Sequence, residues 1–317
     1  MSEKVGLSVV IPVYFNEGSL WNTTKELQAE VFDRHPELTP ELVFVDDGSG
    51  DGSLAELLAI RDAHPNLVRI LKLTRNFGQP SARLAGLRAC RGELIVSMSA
   101  DGQDPASLVH QMIEAHRDNG VQIVVCTREG RDESAYRVWT SAVFYALMRR
   151  LSFPNMPSGG FDYVLLTRRV LNVVLDNQDA TPFFQGQLLW TGFPVQFIPY
   201  RRRARQVGRS RWTFGKKLTL LIDAVLGYSF APIRLISAVG LAFGAAGALV
   251  ALGLVVRYLL FGSEVQGWST LVVLMLLIGG LQTSMLGMIG ECLWRALAQG
   301  RDRAPYVIDQ TWDREDA

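Results

Sequence analysis

Hydrophobic and polar positions follow one pattern over the first 130 residues or so of this chain. Short runs of β-branched and aliphatic residues end in polar clusters and are separated by segments with helical periodicity. The runs at 7–13 and 42–45, with a helical segment between them, predict a β-α-β unit. Further runs at 68–73, 93–97 and 121–126 continue the alternation. This pattern predicts an α/β fold with a mostly parallel sheet and helices on both faces.

A different pattern begins near residue 230, where apolar residues run almost without interruption. Residues 235–256 and 265–290 contain no charged side chain. Each run is long enough to cross a hydrocarbon core, which takes about 20 apolar residues. We therefore predict a hairpin of two transmembrane helices, at about 233–260 and 268–293. Arg234 precedes the first run and Arg295 follows the second, which by the positive-inside bias places both termini in the cytoplasm.

Two amphipathic segments accompany the predicted sheet and hairpin. They cover about 134–153 and 212–230, and we expect both helices to lie at the membrane interface. The alternative for each is an ordinary core helix of the N-terminal soluble domain. The predicted domains are a cytoplasmic α/β domain at 1–211, a juxtamembrane helix at 212–230, the hairpin at 231–294 and a cytoplasmic C-terminal tail at 295–317.

Composition narrows the classes of function. The 317 residues include 32 Lys+Arg and 31 Asp+Glu, and the resulting net charge of +1 gives no bias toward a nucleic-acid partner. The mean hydropathy of +0.14 is mildly apolar. Three scattered cysteines exclude a disulfide framework and a zinc ribbon, which suits a reducing compartment.

Polar clusters follow the predicted strands at 12–17, 46–53, 74–79 and 99–105. Ligands bind outside the carboxyl ends of the strands in such sheets, so the clusters predict a binding site. Asp46 and Asp47 end a buried strand and are expected to face a ligand. A turn with a helix N-cap is the alternative for this pair. Asp101 and Gln103 offer oxygen ligands to Mg²⁺ or Mn²⁺. Arg75 would help such a cation to neutralise the negative charge of a departing diphosphate.

The clusters also occur in a familiar order. The series Val9-Val-Ile-Pro-Val-Tyr-Phe-Asn-Glu17, Val45-Asp-Asp-Gly-Ser49, Thr74-Arg-Asn-Phe-Gly-Gln79 and Ala100-Asp-Gly-Gln-Asp-Pro105 resembles the inverting family 2 glycosyltransferases of GT-A fold. The two apolar runs, ending in Gly290-Glu-Cys-Leu-Trp-Arg295 and followed by Arg303-Ala-Pro-Tyr-Val307, resemble the polyprenyl-phosphate glycosyltransferases. These include undecaprenyl-phosphate glucosyltransferases and dolichyl-phosphate mannosyl relatives. The resemblance covers nearly the whole chain and implies a GT-A, Rossmann-like domain.

The resemblance implies a site for a nucleotide-diphosphate sugar. Its residues would be Pro12, Tyr14, Glu17, Asp46, Asp47, Arg75, Gln79 and Ser99. Asp101 and Gln103 match two metal-binding positions of the Asp-x-Asp-x-Gln pattern of the family. Ser99 stands where the pattern has its first aspartate, which removes one negative charge beside the metal.

The same resemblance implies the catalytic groups. Besides Asp101, these include Asp162, in the segment Gly159-Gly-Phe-Asp162, as the carboxylate nearest the reacting centre. A helix cap is the alternative for Asp162. Arg205 and Arg211 would clamp the phosphate of the acceptor or the donor. They belong to a basic stretch at 201–217, for which electrostatic anchoring on anionic lipid is the alternative.

The predicted reaction is inverting sugar transfer, most simply from UDP-glucose, to undecaprenyl or another polyprenyl phosphate. It would take place at the cytoplasmic face of a bacterial plasma membrane, with membrane lipids as further partners. Gly240, Gly244 and Gly247 have helix-packing spacing, which suits the hairpin or a homo-oligomer. The alternatives are a processive polysaccharide synthase and an inactive membrane scaffold with a transferase-like domain.

Overall fold

The chain folds into two compact units. A computed structural model describes residues 5–128, 145–146, 148–150, 153–157, 160–177, 183–203, 231–261, 267–300 and 304–313. A sheet unit contains residues 1–223 and 303–317, and a helical unit contains residues 224–302. The predicted amphipathic helix at 212–230 lies outside the described residues, as does most of the one at 134–153.

The described part of the sheet unit contains one sheet of eight strands in the order β7-β5-β6-β4-β1-β2-β3-β8. The strands are β1 Leu7–Val13, β2 Pro40–Asp46, β3 Val68–Leu73, β4 Leu94–Ser97, β5 Ile123–Arg128, β6 Tyr163–Thr167, β7 Val195–Tyr200 and β8 Ile308–Trp312. All seven residues of β1 are buried, which explains its unbroken apolar run because both faces of a central parallel strand are covered.

Strand direction decides which chain segments meet at one edge. β1 is parallel to β2 and β4, β2 to β3, and β5 to β7. β6 is antiparallel to both β4 and β5, and β8 is antiparallel to β3. The predicted α/β fold with a mostly parallel sheet is confirmed. The carboxyl ends of the parallel strands therefore lie at the same edge as the amino ends of β6 and β8.

Helices connect the strands and cover the sheet. They are α1 Leu20–Leu27, α2 Ser53–Ala63, α3 Gln79–Ala89, α4 Ser107–Asn119, α5 Arg168–Asp176 and α6 Phe184–Trp190. A π-helical turn, Gln28–Phe32, continues α1. Helix α3 begins with Pro80 in its first turn, where a missing N–H costs nothing, and α4 ends at Gly120, whose φ of +63° suits glycine. The apolar faces of α1, α2 and α4 contribute to one core with the strands.

The helical unit consists of α7, Ala231–Phe261, and α8, Trp268–Gly300, where the sequence pattern predicts the two helices of a hairpin. Among the residues that the structure describes, no helix combines the length and the hydropathy that crossing a membrane requires. The transmembrane assignment of the hairpin is therefore not supported. A Cβ added to Gly240 would lie 3.0 Å from the end of the Met285 side chain, so this glycine lets α7 approach α8.

The predicted C-terminal tail contains a strand that the sequence pattern did not indicate. β8 pairs with β3, and the Thr74 backbone N–H donates to the Val307 carbonyl at 3.0 Å. Trp312 packs against the core. The Asp313 carboxylate lies 3.0 Å from the Arg69 guanidinium, which fixes the chain beyond β8. This segment is thus part of the sheet unit.

Candidate active site

Four loops and two isolated charged positions converge at the carboxyl edge of the sheet. The loops follow β1, β2, β3 and β4, and they carry the four polar clusters of the sequence. Asp162 joins them because it precedes β6, whose direction is reversed, and Arg128 joins them as the last residue of β5. The strand directions therefore gather most of the predicted site residues at one edge.

The loops after β1 and β2 hold each other in place. The Phe15 backbone N–H donates to Ser49 Oγ at 3.2 Å, and Glu17 Oε2 accepts from the Gly52 backbone N–H at 3.0 Å. Phe15 has a φ of +56°, a conformation uncommon for a residue with a side chain. The half-buried Tyr14 ring packs edge-to-face on Phe15 at 4.7 Å. Glu17 thus helps to shape the edge at which it was predicted to border the nucleotide.

Asp47 anchors the loop after β3. Its Oδ1 accepts from the Phe77 N–H at 2.7 Å, and its Oδ2 accepts from the Gly78 N–H at 2.9 Å and from the Asn76 amide at 2.8 Å. Burial raises the pKa of Asp47 above its ordinary value, against the lowering effect of these backbone hydrogen bonds. The Asp47 carboxylate thus anchors the loop after β3, and it does not cap α2, whose N-cap residue is Gly52.

Asp46 is placed differently from its neighbour. It is fully buried at the end of β2, and its Oδ1 accepts from the Ser49 N–H at 3.1 Å. Its Oδ2 is buried and has no hydrogen-bond partner among the described residues. Burial raises the pKa of this carboxyl. A buried carboxylate oxygen without a hydrogen bond is costly. A hydrogen-bond donor on a bound ligand would therefore be favoured beside it.

The remaining predicted nucleotide contacts lie nearby. Pro12 is buried within β1, whereas Arg75 and Gln79 are exposed. The Arg75 guanidinium lies 4.0 Å from the centre of the Phe77 ring. Gly48 has a φ of +69°, and a Cβ there would lie 2.7 Å from the backbone of Arg75. The loops carrying Asp47 and Arg75 therefore pass so closely that only glycine fits.

A second acidic pair follows β4. Ser99 Oγ lies 2.9 Å from Asp101 Oδ1 and 2.7 Å from Asp104 Oδ2. A hydroxyl carries a single proton, so it donates to one of these carboxylates at a time. Both carboxylates are nearly buried, with Asp101 8% and Asp104 2% exposed. Ser99 thus bridges two acidic side chains that need positive charge close by.

Arg202, from the segment after β7, supplies part of that charge. Its Nε donates to Asp104 Oδ1 at 3.0 Å, and its Nη2 lies 3.5 Å from Asp101 Oδ2. The Tyr200 hydroxyl also donates to Asp104, at 2.5 Å. Asp104 is therefore held by short contacts, while the contact between Asp101 and Arg202 is long.

These residues fit a hard divalent cation. Asp101 and Asp104 present carboxylate oxygens, which Mg²⁺ and Mn²⁺ prefer as ligands. Gln103 lies beside them and its backbone N–H donates to Asp101 Oδ1 at 3.3 Å. Its side-chain amide donates to the Arg203 carbonyl at 3.3 Å. The predicted pair Asp101 and Gln103 is thus brought together, and Asp104 is an acidic neighbour that the sequence analysis did not select.

Asp162 lies between two guanidiniums. Its Oδ1 is 3.5 Å from Arg83 Nη2, and its Oδ2 is 3.4 Å from Arg128 Nη2. Burial disfavours the charged form, but the positive charges of Arg83, Arg128 and Arg202 outweigh it and lower the pKa of Asp162. The Gln185 amide lies 3.4 Å from Oδ1. Asp162 is therefore an ionised carboxylate within a group of arginines.

The sequence analysis missed these arginine partners. Arg128 had a usable signal, because it lies two residues after the predicted run at 121–126 and ends β5 in the structure. Arg83 lies inside α3, is 5% exposed and has its guanidinium 4.7 Å from the centre of the Phe184 ring. Nothing in the local pattern around Arg83 distinguishes it from a solvated helix residue. Arg205 and Arg211, predicted to clamp phosphate, lie outside the described residues.

Comparisons with known proteins identify the family of this chain. The family described as Glycosyl transferase family 2 matches residues 8–175. The uncharacterized glycosyltransferase YkcC of Bacillus subtilis is 32% identical over 99% of this chain and 97% of its own length. The bactoprenol glucosyl transferase of Shigella phage SfV is 29% identical over 95% of this chain and 97% of its own length.

A solved structure supports the fold. Glucosyl-3-phosphoglycerate synthase from Mycobacterium tuberculosis, crystallised with Mn²⁺, uridine diphosphate and glucosyl-3-phosphoglycerate, superposes with a TM-score of 0.50. The match covers 70% of this chain and 77% of that chain at 18% identity. At this identity the likeness is one of fold alone.

Proposed function

This chain belongs to glycosyl transferase family 2, and we propose that it transfers a hexose, most simply glucose from UDP-glucose, to a polyprenyl phosphate. It is a glycosyltransferase. The observation that carries the proposal is the joint presence, at one sheet edge, of the acidic pair Asp101 and Asp104 and of the arginine-flanked Asp162. Relatives named bactoprenol glucosyl transferase, 28–29% identical over 95–96% of this chain, support the lipid acceptor.

The acidic pair serves the donor side of the reaction. A divalent cation held there by Asp101, Asp104 and Gln103 would supply positive charge to the departing nucleoside diphosphate. Tyr200 and Arg202 orient the Asp104 carboxylate, and Ser99 sets its spacing from Asp101. The nucleotide would bind nearby, beside Arg75 in the loop after β3 and the unsatisfied carboxylate oxygen of Asp46 at the end of β2.

Asp162 and its arginines serve the acceptor side. A phosphate monoester has a second pKa near 6, so at neutral pH it is largely dianionic and already nucleophilic. The enzyme then needs little general-base help, which agrees with the lowered pKa of Asp162. The ionised carboxylate would balance the positive charge that develops on the sugar, by analogy with glycoside chemistry. Arg83 and Arg128, with Arg205 and Arg211, would attract the acceptor phosphate.

The proposal includes a membrane setting, at the cytoplasmic face of a bacterial plasma membrane. Leaving the bilayer costs an isoprenoid about 0.8 kcal/mol per CH₂, so the enzyme must come to the lipid. Large apolar side chains of the helical unit are exposed, as membrane contact would require: Leu249, Leu252, Leu259, Met275 and Leu286. Lipid association of α7 and α8 is thus part of the proposal.

Activity of the purified full chain tests the function. We expect one nucleotide sugar of a panel, with Mg²⁺ or Mn²⁺ and undecaprenyl phosphate, to give a glycosyl phosphoprenol by mass spectrometry. Asp101→Asn should lower turnover by about 10²–10³-fold because it removes a carboxylate ligand of the cation that would stabilise the leaving group. Asp62→Asn, an exposed aspartate on α2, is the control.

Other results would change the assignment. Polymer instead of a single transfer would indicate a processive synthase. Nucleotide binding without product from any donor would favour the inactive scaffold. Equal turnover in Asp101→Asn and wild type would remove Asp101 from the reaction.

A further inference from the structure

Two imidazoles and a carboxylate meet where the chain between α1 and β2 contacts α4. The ligand atoms of His35, His110 and Glu114 all lie within 4.8 Å of one another. His35 Nε2 is 2.8 Å from His110 Nδ1. His35 is 4% exposed, whereas His110 and Glu114 are partly exposed and one helical turn apart. None of the three belongs to the active site described above.

The surroundings orient His35 toward this cluster. Its Nδ1 lies 3.4 Å from Glu37 Oε1, and Glu37 is itself bound by the Arg117 guanidinium. When Nδ1–H donates to Glu37, the Nε2 lone pair faces His110 and Glu114. A carboxylate behind a histidine in this way is typical of metal-binding histidines.

A hydrogen bond from Arg117 would favour the other tautomer of His35. Its Nη1 also lies 3.4 Å from Nδ1, and when it donates there, Nε2 carries the proton and donates to His110 Nδ1. A metal ion would replace the proton between the two imidazoles, and that proton would be released to solvent.

We propose that His35, His110 and Glu114 bind a divalent metal ion, and that this ion is Zn²⁺. Two imidazole nitrogens and a carboxylate oxygen are a known zinc set, with water as the fourth ligand. With Zn–N bonds of about 2.0–2.1 Å, tetrahedral coordination places two nitrogens about 3.3 Å apart. The imidazoles would separate by about 0.5 Å, a shift that the partly exposed His110 permits. The ion would join the segment before β2 to α4.

Zinc binding by the full chain tests the site. The protein is stripped of metal and carries Asp101→Ala, so that the acidic pair of the active site does not contribute. Equilibrium dialysis against Zn²⁺ alone, followed by metal analysis, should find about one ion per chain at saturation. His110→Gln and Glu114→Gln should each weaken binding by at least about 10-fold, because each removes a ligand. Zinc should also raise Tm in the parent and not in these variants.

The control variant is His64→Gln, which changes a histidine at the end of α2, outside the cluster. It should bind zinc as the parent does. Unchanged affinity in both His110→Gln and Glu114→Gln would overturn the site, as would an equal loss in His64→Gln. Circular dichroism of each variant tests whether weaker zinc binding results from unfolding of the protein.

Discussion

At the scale of single residues, Asp162 owes its state to partners from distant parts of the chain. Arg83 comes from α3 and Arg128 from the end of β5. Burial alone would raise the pKa of Asp162, but these guanidiniums and Arg202 lower it. The residue is therefore fixed as an anion by the fold, before any substrate binds.

We expect the stability contribution of Asp162 to depend on pH. Because folding lowers its pKa, the contribution is fully present above the ordinary value of 3.8 and is lost as pH falls through the folded value. Asp162→Asn should therefore lower the urea midpoint at about pH 7, and the difference from wild type should narrow below about pH 4. Urea titrations monitored by tryptophan fluorescence at both pH values test this. A difference independent of pH would contradict it, and Asp62→Asn serves as the neutral control.

At the scale of elements, β8 completes the sheet. Without it, β3 would expose a row of unpaired backbone groups. The pairing is reinforced on both sides: Lys72 contacts Asp309 at 2.6 Å, and Asp313 contacts Arg69 at 3.0 Å and Arg91 at 3.1 Å. The strand thereby fastens the chain that follows the helical unit to the sheet unit.

Asp309, within β8, and Asp313, directly after it, should differ in their effects on stability. Asp313 is 19% exposed and contacts two arginines, so Asp313→Ala should destabilise β8 by about 1–3 kcal/mol. Asp309 is 40% exposed, and Asp309→Ala should cost about 0–1 kcal/mol. Hydrogen exchange of the β3 and β8 amides measures both. Equal exchange rates in the two variants would show that Asp313 does not fasten the strand.

At the scale of the whole molecule, the chain divides into a sheet unit, which contains the candidate active site, and a helical unit. The helical unit exposes Leu249 at 70% and Leu259 at 75%, unlike the buried leucines of the sheet. Exposed apolar surface of this kind marks an interaction site. This is the basis of the proposed lipid association.

We expect the full chain, expressed in a bacterium, to sediment with membranes. Replacing Leu249 and Leu259 together by arginine should shift it toward the soluble fraction, because a charged side chain is costly to bury in lipid. Trp190→Arg, at an exposed apolar residue of α6 in the sheet unit, is the matched control. Release by high salt alone would point to electrostatic attachment, and full solubility would contradict lipid association.

Much of the fold followed from local pattern. Buried parallel strands are continuous apolar runs, so β1 to β5 and the helices between them were predictable, as were α7 and α8. The antiparallel strands β6 and β8 were not, because their partners lie far away in the chain. β8 pairs with β3 across more than two hundred residues, and no local periodicity records such a pairing.

The sequence by itself determined that polar clusters follow the strands of an α/β sheet, because strand ends are local features and parallel strands end together. Only the tertiary structure decided what each side chain does there. It made Asp47 an anchor of backbone amides, brought Arg83 to Asp162 across 79 positions and placed Arg202 between Asp101 and Asp104. It also joined His35 to His110 across 75 positions. Charge and hydrogen bonding act through space, so the partners that fix each group are set by how the chain is folded.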